Sequence, residues 1–241
     1  MSSHFDINLA PQPPRSSLLR RLGYAILIVL LLPYLIAPLY LFITPISTPM
    51  LWRYLTGQRV VRITMPLDAI SPAVPLAVIA SEDQRFCTHD GIDWNELRKA
   101  VADAEDVDDL RGGSTITQQT VKNLFLWPGR SYVRKALEFP LSAWVDLILP
   151  KRRIMELYLN IAEWGPNGEF GVEAGSRRAF NRSAQELGFG EAALLAAILP
   201  NPVVRSARQP GPAVRRLASI YERRALGAGA LVGCIRRSRA P

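Results

Sequence analysis

Histidine and cysteine are scarce in this chain, which has two of each among 241 residues. A catalytic zinc site of three histidines needs more than His4 and His89 can supply, so that class of enzyme is excluded. The sequence also lacks an H-E-x-x-H motif, a Walker A motif and a dinucleotide-binding fingerprint. Neither S-x-x-K nor K-T-G occurs, which argues against a penicillin-sensitive serine acyltransferase in these residues. Carboxylates, lysine and arginine remain as the groups that can carry chemistry.

Charge is absent from one long apolar segment, from Leu22 to Ile43, and the next charged residue is Arg53. As a helix this segment would span about 33 Å, which matches the roughly 30 Å hydrocarbon core of a bilayer. We therefore predict an uncleaved transmembrane helix over residues 22–43, bent at Pro33 and Pro38. A cleaved signal peptide is the alternative, although its apolar core would be shorter.

The charges before this segment predict its orientation. Arg15, Arg20 and Arg21 precede it, and Asp6 is the one acidic residue there. The positive-inside rule therefore keeps the N-terminus in the cytoplasm and puts everything after Thr44 on the periplasmic or extracellular face. This predicts a single-pass protein of the cytoplasmic (inner) membrane.

The two cysteines, Cys87 and Cys234, would then lie on the oxidising side of the membrane, where disulfides form. Two cysteines this far apart in sequence are weak evidence for pairing, so a disulfide and two free thiols both remain open. The choice depends on whether the fold brings the two residues together.

The positive charge of the chain is concentrated at its C-terminal end. The formal net charge is +8, and residues 201–241 contain nine arginines against Glu222 alone. On the outer face nucleic acid is not an expected partner, and anionic lipid head groups are a better one. A solvated helix with a frayed end is the alternative interpretation.

The pattern after the apolar segment is predominantly helical, with very few strand signals. Arg59–Thr64 ("RVVRIT") predicts one short strand, and Ser71 followed by Pro72 predicts the start of a helix. Asp103–Asp109 carries five carboxylates and predicts a solvated acidic loop, since the spacing of an EF-hand is absent. The expected division is a tail, a membrane span, a connector, a helical core and a basic C-terminal segment, over residues 1–21, 22–43, 44–70, 71–204 and 205–241.

A cluster of carboxylates follows the apolar run "PLAVIA" at residues 75–80. Glu82 leaves the core at the end of this run, and low-dielectric surface beside a carboxylate raises its pKa toward the range of a general base. Phe86 and His89 come one and two turns later and can line the same wall. The alternative is a capping carboxylate beside a core phenylalanine and a hydrogen-bonded histidine.

Residues 112–126, "GGSTITQQTVKNLFL", predict a second polar surface. Thr115 and Gln118 have capping-box spacing, which predicts a helix start, and helix N-termini favour anions. Gln118 and Lys122 are four positions apart and share one face of that helix. Amides, hydroxyls and one ammonium suit a sugar that carries phosphate, while a solvated helix face is the alternative.

Four charged residues follow within nine positions: Arg130, Arg134, Lys135 and Glu138. Arg134 and Glu138 are four apart, which ordinarily indicates a weak surface ion pair. The functional alternative is a cationic wall for a diphosphate, because the planar fork of arginine matches phosphate oxygens. Glu138 would then be a second carboxylate held in place by arginine.

Taken together, these segments resemble the motifs of one family, the peptidoglycan glycosyltransferases of the monofunctional biosynthetic, membrane-anchored type. "EDQRFCTHDGID" fits E-D-x-x-F-x-x-H-x-G-x-D, "GGSTITQQTVKNLFL" fits G-G-S-T-I-T-Q-Q-x-x-K-N, and "RKALE" fits R-K-x-x-E. "KRRIMELYLN" fits K-x-x-I-L-E-x-Y-L-N with Met155 in place of Leu, and "GVEAGSRRAFN" and "EAALLAAILPNP" match the last two motifs. The resemblance covers roughly residues 60–203, and motifs in this order are highly specific.

The resemblance implies a mainly α, lysozyme-like domain of two lobes, preceded by one transmembrane helix, with its cleft open toward the membrane. It implies an enzyme that polymerises lipid II, the undecaprenyl-diphosphate-linked disaccharide pentapeptide, into β-1,4-linked glycan with inversion at MurNAc C1. Glu82 resembles the family's general base, and Glu138 its second essential carboxylate, placed by the leaving group. The positions that resemble substrate-binding residues are Asp83, Phe86, His89, Ser114, Thr115, Gln118, Gln119, Lys122, Asn123, Arg130, Arg134 and Lys135.

The resemblance implies no tightly bound cofactor, and at most a Mg²⁺ or Mn²⁺ ion at the substrate diphosphate, because no protein cage for a metal is visible. The implied partners are lipid II, the growing glycan strand, the membrane with its anionic lipids, and other cell-wall synthesis proteins. Leu51, Trp52 and Tyr54 of the connector are expected to dip into the membrane interface. A muramidase or lytic transglycosylase, and a membrane-anchored scaffold, are the competing interpretations.

Three features depart from the family pattern. Pro140, two residues after Glu138, removes a hydrogen bond to the Ala136 carbonyl and can bend the helix. Ala179 stands where the family often has tyrosine, which predicts a missing packing contact. Residues 163–171, "EWGPNGEFG", form a slightly longer loop than usual.

Overall fold

The computed structural model describes residues 15–102, 113–129, 131–230 and 232–236. The predicted acidic loop Asp103–Asp109 and Arg130 lie outside these ranges. Within them the chain is mainly α-helical, as predicted. The helices are α1 Arg15–Ile36, α2 Thr48–Leu55, α3 Ala73–Glu82, α4 Trp94–Ala102, α5 Ile116–Phe125, α6 Tyr132–Ile148, α7 Lys151–Ile161, α8 Val172–Phe180, α9 Phe189–Ile198 and α10 Pro212–Gly227. The strands are β1 Val61–Arg62 and β2 Glu169–Phe170.

The helices that follow the apolar segment pack in two groups. In one group α3 packs against α9 and α10, and in the other α5 packs against α6 and α7. Helix α3 is apolar, and seven of its ten residues are buried. Helix α9 buries several alanines, and such small side chains let neighbouring helices approach closely. The two groups form the two lobes of the domain, with Glu82 at the C-terminal end of α3 and Glu138 within α6.

Local sequence signals determine where the helices begin. The capping box predicted for Thr115 and Gln118 is formed: Thr115 Oγ1 accepts from the Gln118 N–H, and Gln118 Oε1 accepts from the Thr115 N–H at 3.0 Å. Helix α3 begins shortly after Ser71, whose Oγ accepts from the Ala73 N–H. Helix α6 continues through Pro140, so this proline lies inside the helix and does not end it.

Strand β1 confirms the strand predicted in the connector, whereas β2 was not predicted. The two strands are parallel, and Val61 pairs with Glu169. Gly171 follows β2 with a φ of 87°, and a Cβ there would meet the carbonyl oxygen of Ile63. Glycine is therefore required at this position, and the pairing ties residues 163–171 to the connector.

Leu18–Leu41 is long and apolar enough to cross a membrane, with a mean hydropathy of 2.3. It starts before the predicted boundary, and its α-helix ends at Ile36. Pro38 lacks the N–H that would bond to the carbonyl oxygen of Tyr34. Trp144 Nε1 of α6 donates to that oxygen instead, at 3.1 Å. The end of the apolar segment is therefore attached to α6 of the helical domain.

Arginine side chains bind the chain where it leaves the apolar segment. Arg153 of α7 donates to the carbonyl oxygens of Tyr40 and Ile43, each at 2.7 Å. Arg62 donates to the carbonyl oxygen of Thr44 at 2.6 Å. These bonds satisfy carbonyl groups that the end of a helix leaves free, and they fix the helical domain relative to the apolar segment.

Cys87 and Cys234 form a disulfide, with Cα atoms 5.5 Å apart and a sequence separation of 147. This resolves the choice that the sequence left open. Arg152 adds a hydrogen bond to the carbonyl oxygen of Ile235 at 2.8 Å. The bridge joins the C-terminal part of the described chain to the segment that follows α3.

The basic C-terminal segment is a packed helix over most of its described length. Val214, Ala218 and Ala225 of α10 are buried, while Arg215 and Arg216 are exposed. One face of α10 is solvated, as one interpretation of the sequence expected, and the other face belongs to the core.

Candidate active site

Two adjoining cavities contain the two glutamates that the sequence singled out. Glu82 lines a cavity of about 260 Å³, and Glu138 lines one of about 450 Å³. Gly113 and Ser114 line both, so the cavities meet at the start of α5. A polar contact marks this boundary, because Lys135 Nζ donates to Ser114 Oγ at 2.8 Å. The single cleft expected from the sequence is thus two compartments that share a wall of small residues.

Glu82 is held by a neutral amide. Gln119 Nε2 donates to Glu82 Oε2 at 2.9 Å, and the Tyr158 hydroxyl donates to Gln119 Oε1 at 3.2 Å. Burial raises the pKa of Glu82 above its ordinary value, as its position after an apolar run predicted. The hydrogen bond from Gln119, and then the charges of Lys122 and Arg205, oppose this rise. Within the described part of the chain Glu82 forms no ion pair, so it is suited to accept a proton.

Glu138 has the opposite surroundings. Its side chain is 3% exposed and forms ion pairs with Arg134 and with Lys135, whose Nζ lies 3.0 Å from Glu138 Oε2. The spacing of Arg134 and Glu138 predicted the pair, but the pair is buried, so solvent ions screen it little. Arg134 Nε is also buried and makes no hydrogen bond to any described residue. One donor of this guanidinium is therefore without a hydrogen-bond partner among the described residues.

Lys122 is influenced by both glutamates. Burial lowers the pKa of Lys122, and the positive charges of Arg134 and Lys135 act in the same direction. The negative charges of Glu138 and Glu82 oppose them. The side chain lines the Glu138 cavity, so its ammonium is placed where an anion bound beside both acids would meet it.

Asp83 and His89 form a buried pair beside Glu82. His89 Nε2 lies 2.9 Å from Asp83 Oδ2, and the same oxygen accepts from the backbone N–H of Ile116 at 3.0 Å. Phe86 is fully buried, with its ring 6.3 Å from the His89 ring. Asp83 lines the Glu82 cavity, whereas Phe86 and His89 line neither cavity. This placement differs from the expected sugar contact, because both rings are taken up in the packing of the wall.

A second buried network supports His89 and was missed in the sequence. Lys151 Nζ donates to the His89 carbonyl oxygen at 2.6 Å and to Asp146 Oδ1 at 2.7 Å. The same ammonium lies over the Phe86 ring, 4.8 Å from its centroid. Thr117 Oγ1 donates to Asp146 Oδ1 at 2.9 Å, which ties α5 to α6. Lys151 opens the motif "KRRIMELYLN", and that motif was the available signal.

The remaining predicted binding residues differ in location. Those that line the Glu138 cavity are Ser114, Gln118 and Gln119. Thr115 lines the Glu82 cavity and donates from Oγ1 to a backbone carbonyl at 2.6 Å. Asn123 lines neither cavity. Arg130 lies outside the described residues, so its role stays a prediction.

The described residues do not fit a metal held by protein ligands. Within those ranges no three His, Cys, Asp or Glu side chains come together as a metal site. Glu138, the acid of the larger cavity, is already paired with Arg134 and Lys135. A Mg²⁺ or Mn²⁺ ion at the substrate diphosphate stays a prediction, and its ligands would have to come mainly from the diphosphate and water.

Comparison with known proteins assigns this arrangement to a family. The family model described as Transglycosylase matches residues 50–225, which include both glutamates and every residue that lines their two cavities. The match covers well over half of the sequence. The chain therefore belongs to the transglycosylase family.

Curated proteins named "Biosynthetic peptidoglycan transglycosylase" are similar to this chain over most of its length. One from Nitrobacter hamburgensis is 62% identical over 212 residues, which cover 87% of this chain and 94% of the relative. One from Nitrobacter winogradskyi is 63% identical over 206 residues, covering 86% and 91%. One from Rhizobium johnstonii is 51% identical over 219 residues, covering 90% and 89%. The family resemblance noted in the sequence is confirmed.

Proposed function

We propose that this chain is a peptidoglycan glycosyltransferase that polymerises lipid II into β-1,4-linked glycan strands. Each turnover joins the GlcNAc 4-hydroxyl of one molecule to MurNAc C1 of another, inverts that carbon and releases undecaprenyl diphosphate. The observation that carries the proposal is the contrast between the two glutamates. Glu82 has a raised pKa and a neutral partner, whereas Glu138 is clamped between two cations.

Glu82 acts as the general base in this proposal. It accepts the proton of the acceptor 4-hydroxyl while that oxygen forms its bond to MurNAc C1. A carboxylate with a raised pKa takes up a proton more readily than an ordinary glutamate, which improves its match to a weakly acidic hydroxyl. Gln119, itself bound by Tyr158, fixes one oxygen of Glu82 and so positions the other for the hydroxyl.

Lys122, Arg134 and Lys135 stabilise the leaving group in this proposal. The electron pair of the breaking C1–O bond moves onto the diphosphate, so negative charge grows there in the transition state. Cations that are already in place stabilise that charge without reorganising. Glu138 holds Arg134 and Lys135 in position through its two ion pairs. Arg130 is expected to add a further cation, as the family motif implies.

In this proposal the apolar N-terminal helix anchors the enzyme in a bilayer and keeps this chemistry at the bilayer surface. We propose that the N-terminus is cytoplasmic and that the domain after the helix lies on the periplasmic, outer face, as the arginines before the span favour. Helix α2 exposes Leu51, Trp52 and Tyr54 by 45, 56 and 53%, which suits insertion into the membrane interface. The lipid chain of the substrate stays in the bilayer, so the active site must lie at the membrane surface. Contacts with anionic lipids and with other cell-wall synthesis proteins stay predictions.

Incubation of the purified full-length chain with labelled lipid II in detergent tests the proposal. We expect labelled polymer that a muramidase digests, with one undecaprenyl diphosphate released per bond formed. Consumption of intact glycan strands without polymer formation would identify a muramidase or lytic transglycosylase and overturn the proposal. A scaffold would turn over neither substrate, and Glu82→Gln would leave its function intact.

A further inference from the structure

A further cationic surface lies outside the two cavities of the glutamates. Arg178 and Arg208 line two adjoining cavities of about 260 and 500 Å³, and Arg205 lines the smaller one. We call this surface the arginine groove. Ala179, where the family often has tyrosine, also lines both cavities.

The arginine groove has positive charge that its own acids do not balance. Among the described residues, Arg205 and Arg208 have no carboxylate within ion-pair distance, and Arg205 is held by the carbonyl oxygen of Ala197 at 2.8 Å. Arg178 Nε is 3.7 Å from Glu169 Oε1. The other oxygen of that glutamate accepts from a backbone N–H at 2.9 Å, so the carboxylate is only partly available to the arginine. The groove therefore favours an anionic ligand.

Arg205 links the arginine groove to the proposed catalytic base. Its positive charge acts on both Glu82 and Tyr221, so it lies within electrostatic reach of the carboxylate. The charges that act on Lys122 are instead those of Glu82 and of the ion pairs around Glu138. The arginine groove and the Glu138 cavity share no lining residue and are thus separate cationic regions, and the charges of Arg205 and Lys122 both act on Glu82.

The proposed reaction involves two diphosphates. The donor loses its diphosphate at MurNAc C1, and the cations of the Glu138 cavity serve that group. The acceptor keeps its own diphosphate, which lies one disaccharide away from the 4-hydroxyl that must reach Glu82. A second cationic region, one of whose arginines acts electrostatically on the base, meets this requirement.

We propose that the arginine groove binds the diphosphate of the acceptor lipid II; this rests on the proposed function. Arginine offers parallel N–H donors that match phosphate oxygens. Val203 and Val204 precede Arg205 and are 53% and 77% exposed, which gives the attached lipid chain an apolar surface beside the groove. That combination of cations and exposed valines fits a lipid diphosphate better than it fits the carboxylates of the peptide stem.

A single-bond transfer assay with separate donor and acceptor tests this site. The donor is labelled lipid II with its GlcNAc 4-hydroxyl capped, so that it cannot act as acceptor. The acceptors are lipid II and the methyl glycoside of the same disaccharide peptide, which has no diphosphate. In the variant Arg178→Gln/Arg208→Gln we expect the KM for acceptor lipid II to rise about tenfold or more, since charge-assisted hydrogen bonds are lost. The KM for the methyl glycoside should not change.

Matched variants and a third acceptor separate the possible outcomes. Arg215→Gln/Arg216→Gln removes the same charge from the exposed face of α10 and should leave both KM values as in the wild type. An acceptor diphosphate without the peptide should retain the full effect; loss of the effect would mean that the groove binds peptide carboxylates, and would overturn the inference. If Arg178→Gln/Arg208→Gln forms product with an unchanged KM for acceptor lipid II, the inference is overturned but the proposed function is not. Absence of product from the wild-type chain would overturn the proposed function and the inference with it.

Discussion

Glu82 and Glu138 lie in adjoining cavities, yet the fold treats the two carboxylates in opposite ways. Glu82 is bound by the amide of Gln119, and burial raises its pKa. Glu138 is almost completely buried and is bound by a guanidinium and an ammonium. The comparison teaches that a base and a structural anion need different neighbours. A neutral partner leaves Glu82 free to accept a proton, whereas two cations fix Glu138 in place through ion pairs.

The same contrast extends to the segments that carry the two residues. Glu82 ends an apolar helix and is followed by the buried Asp83–His89 pair, which orders the chain beyond it. Glu138 lies in the middle of α6, with Arg134 and Lys135 on the same helix one turn earlier. The position of Glu82 depends on tertiary contacts, whereas the ion pairs of Glu138 depend mainly on residue spacing within α6. Substitutions should therefore separate the two roles.

Replacement of the base should have the largest effect. In the Glu82→Gln variant we expect polymerisation of lipid II to fall by about 10²–10⁴-fold, because general-base catalysis typically contributes that much. Binding of lipid II should survive, since the amide has nearly the same shape. Polymer formation measured with labelled lipid II, beside binding measured with the same substrate, checks this. Near-normal turnover would remove Glu82 from the role of base.

The effect on thermodynamic stability should be larger for Glu138→Gln than for Glu82→Gln, the reverse of the order that we expect for activity. Glu138→Gln leaves Arg134 and Lys135 without their buried counter-charge, which typically costs about 3–5 kcal/mol when one partner of a buried pair is removed. Glu82→Gln should cost little at neutral pH. Because the fold raises the pKa of Glu82, its stabilising effect belongs to the protonated form and is lost as the pH rises through that raised pKa. Thermal unfolding of both variants in the same detergent makes the comparison, and equal destabilisation would contradict it.

The Cys87–Cys234 disulfide should stabilise the segment that follows Glu82 and α3. Its loss in the double variant Cys87→Ser/Cys234→Ser should reduce stability by about 2–4 kcal/mol, since it closes a long loop. Added reductant should lower the unfolding temperature of the wild type and leave that of the double variant unchanged. An effect of reductant on both would point to a cause other than this disulfide.

Tyr158 tests how far the base depends on its neutral partner. Tyr158→Phe removes the hydroxyl that donates to Gln119 and leaves the packing in place. A lost hydrogen bond of about 0.5–1.5 kcal/mol predicts a fall in kcat of about 2- to 10-fold, because Gln119 would no longer be fixed. Tyr54→Phe, on the exposed face of α2, is the matched control and should have wild-type activity. If the two variants behave alike, the Tyr158 hydroxyl does not position Gln119.

Much of the fold could be predicted because its signals are local. The capping box of Thr115 and Gln118, the four-residue spacing of Arg134 and Glu138, and the apolar N-terminal helix all depend on residues close together in sequence. Strand β2 escaped prediction because two residues carry no periodicity, and they form a strand only by pairing with β1.

The details of the candidate site were harder to predict because they join distant segments. Gln119 and Tyr158 are 37 and 39 positions from the residues they bond, and no local pattern connects them. His89 and Phe86 are family motif positions, but both are buried, and Lys151 of α7 contacts the His89 carbonyl oxygen and the Phe86 ring. Sequence motifs thus pointed to the candidate site, while tertiary packing decides which of the predicted residues line its two cavities.

The dependence of kcat/KM on pH tests the difference between the two glutamates most directly, because it reports the ionisation of the free enzyme. In the wild type we expect an acid limb above the ordinary glutamate value of 4.5, set by Glu82. The charge of Lys122 lowers the pKa of Glu82, so Lys122→Ala should move this limb to higher pH, whereas Lys99→Ala, an exposed control, should not. The residual activity of Glu82→Gln should lack the limb altogether. An acid limb that persists unchanged in Glu82→Gln would show that another group accepts the proton.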